Sequence, residues 1–425
     1  MKTPQTRRSF IGNSTLAGAA LASAPLFAAN PVTGKPKQLK FALIGCGGRG
    51  NGAMKNFTEA CKILGIEAKA VATADAFKAK AESAGKAHGV PADKCYGGFD
   101  GYQKVLESDA DFVLMATPPG FRPLHFAATI AANKNAFIEK PVAVDPVGAR
   151  SVIATGELAK QKGLAVVTGT QRRHTEGYLR NKARIEAGAI GDIKGGIIEW
   201  NGRIPWIKRR SAGESEADYM AKNWLNFTEL SGDHIVEQHI HNIDVAIWFL
   251  GKLPVSALGF GGRARRETGN QFDFFSVDLD FGDDVHIHSQ CRQLAGTYSR
   301  VGEIFTGTEG SCYGGGKING KDVKVPDFKQ DSGNGQVQEH VDMIRSVIAG
   351  KPLNEAKQVA ESTAVAIMSR MSAYTGQLIR FTDVMENEKS PFYSYACNPS
   401  ALDFEKGSVK MPEEVPAIPG EDNKK

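Results

Sequence analysis

A chain of 425 residues, 41% hydrophobic and 23% charged, exceeds what one hydrophobic core usually spans, so two domains are expected. The formal charge of +5 is small, and Lys2, Arg7 and Arg8 near the N-terminus supply three of those charges. Elsewhere no basic stripe is interleaved with aromatic residues, so nothing points to nucleic acid.

Residues 1–29 read as an address. Thr6-Arg7-Arg8-Ser9-Phe10-Ile11 sets two arginines before a mild apolar run from Leu16 to Ala29, the order of a twin-arginine secretory signal. The run is rich in Ala and Gly, contains Pro25, and falls short of the ~20 strongly apolar residues a membrane anchor needs. Cleavage is expected near Ala28 or Ala29, with no stable span left afterwards and a periplasmic location. Six cysteines (Cys46, Cys61, Cys95, Cys291, Cys312 and Cys397) lack CxxC spacing. Folding in the reducing cytoplasm before export would leave them as free thiols.

From residue 36 to 167 the sequence alternates strand and helix. Lys40–Ile44 is an apolar run that ends in Gly45-Cys46-Gly47-Gly48-Arg49-Gly50, after which Met54, Phe57, Cys61 and Leu64 share a helical face. A second run, Ala68–Thr73, ends at Asp75. Runs at 112–116, 136–138 and 164–167 follow, separated by helical patterns near 124–133 and 147–161. Continuous apolar strands alternating with helices predict a parallel sheet covered on both faces, a Rossmann-type α/β domain.

The glycine-rich turn has a physical logic in that setting. Gly45 permits the tight turn, Gly47 lets the backbone approach a pyrophosphate, and Gly50 allows close helix–strand packing. The diphosphate would sit on free N–H groups at the positive end of the next helix. Asp75 would accept hydrogen bonds from the adenosine ribose hydroxyls, favouring NAD over NADP, whose extra phosphate it would repel. The plain alternative for Asp75 is a turn former.

From 168 to 385 the pattern changes to long alternating runs: 193–201, 255–263, 272–281, 285–292 and 302–306. Phe275, Val277, Leu279 and Phe281 point one way, with Ser276, Asp278 and Asp280 opposite; Phe274 breaks the pattern. These predict an α+β domain with an open, mostly antiparallel sheet for substrate and oligomer contacts. Helices at 336–349 and 358–374 close it and pack back on the first domain, and residues 386–425 are expected to be an extended tail.

Two clusters carry proton chemistry. Glu139-Lys140-Pro141 directly follows the strand 136–138, where loops at strand carboxyl ends face the cofactor, so Glu139 is a candidate cofactor contact. Lys140 could hydrogen-bond a substrate hydroxyl and lower its pKa as hydride leaves. Downstream, Glu237, His241 and Asp244 would share a face if Glu237–Asp244 is helical. His241 could then take the hydroxyl proton, with a carboxylate behind it fixing the tautomer. A surface lysine before a proline and a structural histidine are the bland alternatives. His239-x-His241 and His286-x-His288 also open a metal-hydrolase reading, weakened because the first pair would diverge on a helix. A non-catalytic binding protein that kept the fold is a third reading.

Taken together, the Gly45–Gly50 loop, Ala116-Thr117-Pro118 with His125, Glu139-Lys140-Pro141, Gly188–Asp192, His241–Asp244 and Ile348–Pro352 resemble the glucose–fructose oxidoreductase / inositol dehydrogenase (Gfo/Idh/MocA) family from Phe41 to about Thr382. The resemblance implies Lys140 and His241 as the catalytic pair. It also implies that Thr117, Pro118 and the Gln171-Arg172-Arg173 segment line the cofactor, and that a sugar or polyol binds between nicotinamide and the second-domain sheet. Glu237 stands where members commonly carry Asp, so its supporting role rests on a longer side chain. Relatives include enzymes that oxidise a sugar, eliminate its glycosidic substituent, add water and reduce it again. Net oxidation and redox-neutral cleavage both remain open. No metal is required, a tightly held NAD is expected in an exported enzyme, and the open sheet predicts a homo-oligomer, dimer or tetramer.

Overall fold

The computed structural model describes residues 35–412; the expected signal and residues 413–425 of the tail lie outside them. The first domain is a parallel six-stranded sheet. Its strands are β1 (Gln38–Ile44), β2 (Glu67–Asp75), β3 (Cys95–Gly97), β4 (Phe112–Met115), β5 (Asn135–Ile138) and β6 (Val166–Thr168). Between them run α1 (Gly48–Ile63), α2 (Lys78–Ala87), α3 (Gly101–Leu106), α4 (Arg122–Ala131) and α5 (Pro146–Gln161). The strand order β3-β2-β1-β4-β5-β6 is that of a doubly wound dinucleotide-binding fold, whose switch point lies between β1 and β4.

The apolar runs form these strands because both faces are covered. Phe41, Phe57, Phe112 and Phe137 pack on one side, and Val113, Met115, Phe126 and Val152 on the other. The chain's last long helices complete both layers: Gly335–Ile348 adds Val337, Val341 and Ile344 to the first, and Ala356–Thr375 adds Val359 and Ala360 to the second.

The second domain begins after β6 with α6 (Glu176–Glu186) and strand β7 (Ile193–Gly202). Helical turns follow: α7 (Glu216–Lys222), α8 (Thr228–Ser231), α9 (His234–Glu237) and α10 (Ile240–Leu250). The sheet continues with β8 (Ser256–Gly262), β9 (Phe274–Asp280), β10 (His286–Gln293), β11 (Arg300–Gly307), β12 (Ser311–Cys312) and β13 (Ile318–Asn319). The helices α11 (Gly335–Ile348) and α12 (Ala356–Thr375), strand β14 (Ile379–Arg380), α13 (Phe381–Met385) and α14 (Ala401–Glu405) end the described chain. Its eight-stranded sheet runs β13-β12-β11-β7-β10-β9-β8-β14, antiparallel except for the β7–β10 pair among the described residues. Phe275, Val277 and Leu279 face the core and Phe274 the open side, so the local break in alternation reports an outward residue.

Two expectations need correction. Glu237–Asp244 is not one helix: α9 ends at Glu237 and α10 starts at Ile240, because Gln238 and His239 are drawn to β10. The Gln293 Nε2 donates to Gln238 Oε1 at 2.9 Å, and His239 Nε2 lies 2.8 Å from Ser289 Oγ. The tail is not simply extended either; it carries α14 and returns to the first domain, where Phe404 is buried among aromatic rings. All six cysteines are free and buried. Arg370, fully buried in α12, fastens the domains by donating to Val144 O and Gly232 O, each at 2.9 Å.

Candidate active site

The turn from β1 into α1 is built by its glycines. Gly45 sits at φ +94°, and a side chain there or at Gly50 would overlap backbone: that of Ala116 and Thr117 in the first case, the Gly45 carbonyl in the second. Gly47 caps α1 with nothing within 4 Å of a would-be Cβ, so its backbone is open to a ligand. No side chain caps that helix and no acid stands in its first turn, which leaves its N–H groups and positive end free for an anion. Asp75 stitches the turn to β2: its Oδ2 accepts from Cys46 N at 2.8 Å and its Oδ1 from Phe77 N at 2.9 Å.

These residues wall a cleft of about 640 Å³ at the switch point, which Thr117, Pro118 and His125 close from the β4 side. The His125 Nδ1 lies 3.2 Å from Thr117 Oγ1, while its buried Nε2 has no hydrogen-bond partner among the described residues. Burial, then the Arg122 charge, pushes that imidazole down to about 3, so it is neutral. Open glycines, a bare helix terminus and an unpartnered buried nitrogen fit an adenine dinucleotide.

At the carboxyl end of β5, Lys140 Nζ donates to Glu237 O at 2.7 Å and to Glu237 Oε1 at 3.2 Å, both side chains being 14% exposed. Glu237 therefore partners the lysine and not His241. His241, in the first turn of α10, is buried, with its ring 5.8 Å from that of Trp200 and inclined by 21°. Burial foremost, then the positive charges of Lys140, Arg172 and Arg49, hold its pKa well below the ordinary histidine value. It is a neutral imidazole beside an ammonium group, able to accept a proton. Asp244 does not stand behind it; that carboxylate takes both Arg173 nitrogens at 2.9 Å and the Ser362 hydroxyl at 2.8 Å.

Glu139 and Arg172 do not line the cleft, and neither do Gly50, Lys140, Glu237 and His241. Glu139 is buried and accepts from Arg49 Nε, and a side chain at Gly169 would collide with its carboxylate. Arg172 pairs with buried Glu303 on β11, which also accepts from Asn242 Nδ2 at 2.7 Å and Tyr178 Oη at 3.2 Å. Among the described residues no group of three or more His, Cys, Asp or Glu side chains could hold a metal ion. His286 and His288 lie on the open sheet face beside Asp278 and Ser276.

Some residues here had no local signal. Arg49, the variable residue before Gly50, bridges Glu139 and Glu339 of α11. His174 is held between Asp342 at 2.7 Å and Glu355 at 3.0 Å, and those charges outweigh its burial and push it up to about 10. Arg122 is fully desolvated, donates to Pro141 O behind Lys140, and is pushed down to about 10 by burial. Trp200 carries no motif, though its place in an alternating strand could have suggested an inward platform.

A doubly wound domain with its cleft at the switch point, joined to an open sheet with a lysine–histidine pair between them, defines a two-domain dinucleotide-binding oxidoreductase. Residues 39–170 match the oxidoreductase family with an NAD-binding Rossmann fold, and residues 178–313 match the GFO/IDH/MocA C-terminal domain. The chain belongs to the Gfo/Idh/MocA oxidoreductase family. It is 30% identical to inositol 2-dehydrogenase of Burkholderia ambifaria over 227 residues, 52% of this chain and 56% of that protein. It is 27% identical to 2,7-anhydro-N-acetylneuraminate hydratase of Escherichia coli over 177 residues, 40% of this chain and 42% of the relative. The match thus spans about half the length of these curated relatives. The WlbA dehydrogenase of Bordetella pertussis, solved with NADH and UDP-GlcNAcA, shares the fold at a TM-score of 0.63 and 18% identity, over 81% of this chain and 98% of that one.

Proposed function

We propose that this protein is an exported, NAD-dependent oxidoreductase that moves hydride to or from a carbon of a sugar or polyol and keeps its cofactor bound. The observation that carries it is the neutral His241 against Trp200 of the second-domain sheet, under the charge of a Lys140 that Glu237 of the second domain holds at the carboxyl end of β5. Bound nicotinamide supplies hydride acceptance and donation. The chain supplies the rest. Lys140 hydrogen-bonds the reacting hydroxyl, and His241 accepts its proton as the carbonyl forms, or returns it in the reverse direction. Glu237 fixes the ammonium group, and the partly exposed Trp200 face beside His241 offers an apolar surface to a sugar ring. Asp75 supports NAD over NADP, since a 2′-phosphate would meet its carboxylate.

Inositol 2-dehydrogenase among the relatives supports the substrate class. The twin-arginine pattern of residues 6–11 supports export to the periplasm. The open sheet face, which exposes Ile197, Leu258, Phe260 and Phe274, supports a homo-oligomer. The hydratase relative supports a second reading, in which oxidation is transient and elimination and water addition intervene before the ring is reduced again. Mass spectrometry of nucleotide released from the purified protein, followed by product analysis on sugars and glycosides, tests both. NAD with a keto-sugar product supports net oxidation, and NAD with cleavage and no net redox change supports the second reading. Protein that binds no dinucleotide and changes no sugar would overturn the proposal.

A further inference from the structure

Two residues of the cleft lining do not come from the first domain. Between β7 and α8 the chain makes an excursion, residues 203–227, whose Ala221 and Trp224 line the cleft together with Asp75, Phe99 and Tyr102. The excursion is pinned, not loose. Buried Asn223 accepts from Lys208 N at 2.6 Å and donates to Lys208 O at 2.7 Å. Asn226 donates to Trp206 O at 3.2 Å and accepts from Arg266 at 2.8 Å, and Trp206 meets Trp224 edge-on at 5.8 Å. Directly after it, α8 presses on the first domain, because Gly120 passes so close to the Glu229 carbonyl that a Cβ would overlap it.

The C-terminal tail lies across this wall as a strap. At its near end Cys397 N donates to Asp145 Oδ2 at 2.8 Å, and Arg150 donates to Tyr393 O at 2.7 Å, both anchors in the first domain. Phe404, 2% exposed, then packs against both Phe99 and Phe121, at 5.1 and 5.0 Å between ring centroids; those two rings stack on each other at 5.9 Å and both line the cleft. At the far end Met411 N donates to Glu216 Oε2 at 3.0 Å in the first turn of α7, clamping the excursion itself.

We propose that Trp224 is a cofactor-contacting residue supplied by the second domain, and that the 397–411 strap holds it over the adenosine half of the site, so that the dinucleotide leaves only when the strap lifts. The inference rests on the reading of the cleft as a dinucleotide site. Segments held by few contacts open locally without global unfolding, and such opening often limits release. Between its anchors at Asp145 and Glu216 the strap rests on a small apolar cluster through Ala401, Phe404, Val409 and Met411, apart from the main cores of both domains, so it can open without unfolding either.

Stopped-flow displacement of bound NADH by excess NAD measures the release rate in Trp224→Ala, Phe404→Ala and Glu216→Ala, with circular dichroism melts as the folding control. Phe404→Ala is expected to release NADH at least about tenfold faster, and Glu216→Ala about threefold faster while leaving the aromatic packing intact. Trp224→Ala should weaken ADP-ribose and NADH alike and leave nicotinamide mononucleotide unaffected. Should Phe404→Ala not fold, Glu216→Ala and Trp224→Ala carry the test. Release rates within twofold of wild type in the folded variants overturn the strap alone. A wild type that binds no dinucleotide overturns the functional reading and the strap with it.

Discussion

Burial first, and then the positive charge of Lys140, keep His241 neutral, and the neutral imidazole is the state ready to receive a proton. Its depressed pKa keeps that base form down to lower pH, so kcat/KM should hold level from pH 7 to pH 6 and fall only well below 6.5. A profile with its acid limb centred at 6.5 would contradict the assignment. General acid–base groups contribute roughly 10²–10⁴-fold, so Lys140→Ala and His241→Ala should each lose about that in turnover while nucleotide binding, followed by titration, survives. Near-normal turnover in both would remove them from the chemistry. Glu237→Gln keeps the hydrogen bond to Lys140 but not the ion pair, and a smaller loss is expected. In the cleft itself, Asp75→Ala should narrow the gap between NAD and NADP affinities; an unchanged preference would leave the carboxylate as a turn former, since it already accepts two backbone N–H groups.

The elements that were legible in the sequence owe it to local physics. Gly45 needs a positive φ and Gly50 a close approach, and both requirements act within a few residues. The apolar strands of the first sheet are buried on both faces and read as unbroken runs. What stayed hidden depends on distant partners. The i, i+4 spacing of Glu237 and His241 suits a helix, yet Gln293 and Ser289 on β10 capture the two residues between α9 and α10. Arg49 meets Glu339 across 290 positions, which no window of sequence contains. His174 likewise joins the turn after β6 to α11 and α12 through Asp342 and Glu355. Its folded pKa of about 10 exceeds the ~6.5 of an unfolded histidine, so it contributes stability that is full below about pH 6.5 and is lost as pH rises through about 10. Breaking a buried pair costs about 3–5 kcal/mol, so His174→Gln should lower unfolding free energy by that order at pH 6 in urea titrations. The deficit should shrink toward pH 10; one that is constant with pH would show that the histidine is not charged.

At the scale of the whole molecule, the open sheet face and the closed cofactor cleft lead to different measurements. Phe260, 66% exposed, stands with Leu258 and Phe274 on the face that no helix covers, and Phe260→Glu should convert an oligomer to monomer by light scattering. A wild-type monomer would refute the oligomer. A twin-arginine signal delivers a folded protein, so an enzyme exported as proposed would be loaded with dinucleotide before export, and outside the cytoplasm no NAD pool exists for exchange. An enzyme that released NADH there would turn over once. Under the proposed export the cofactor would instead have to be restored within each cycle, either by a second substrate or by reduction of the same sugar after elimination and hydration. Protein isolated from the periplasm should therefore carry nucleotide through gel filtration and, given its substrate, complete many turnovers with no NAD added. Activity that requires free NAD in proportion to product would break that chain of reasoning at one of two links, and the cellular fraction holding the protein identifies which: cytoplasmic protein removes the export signal, periplasmic protein removes cofactor retention.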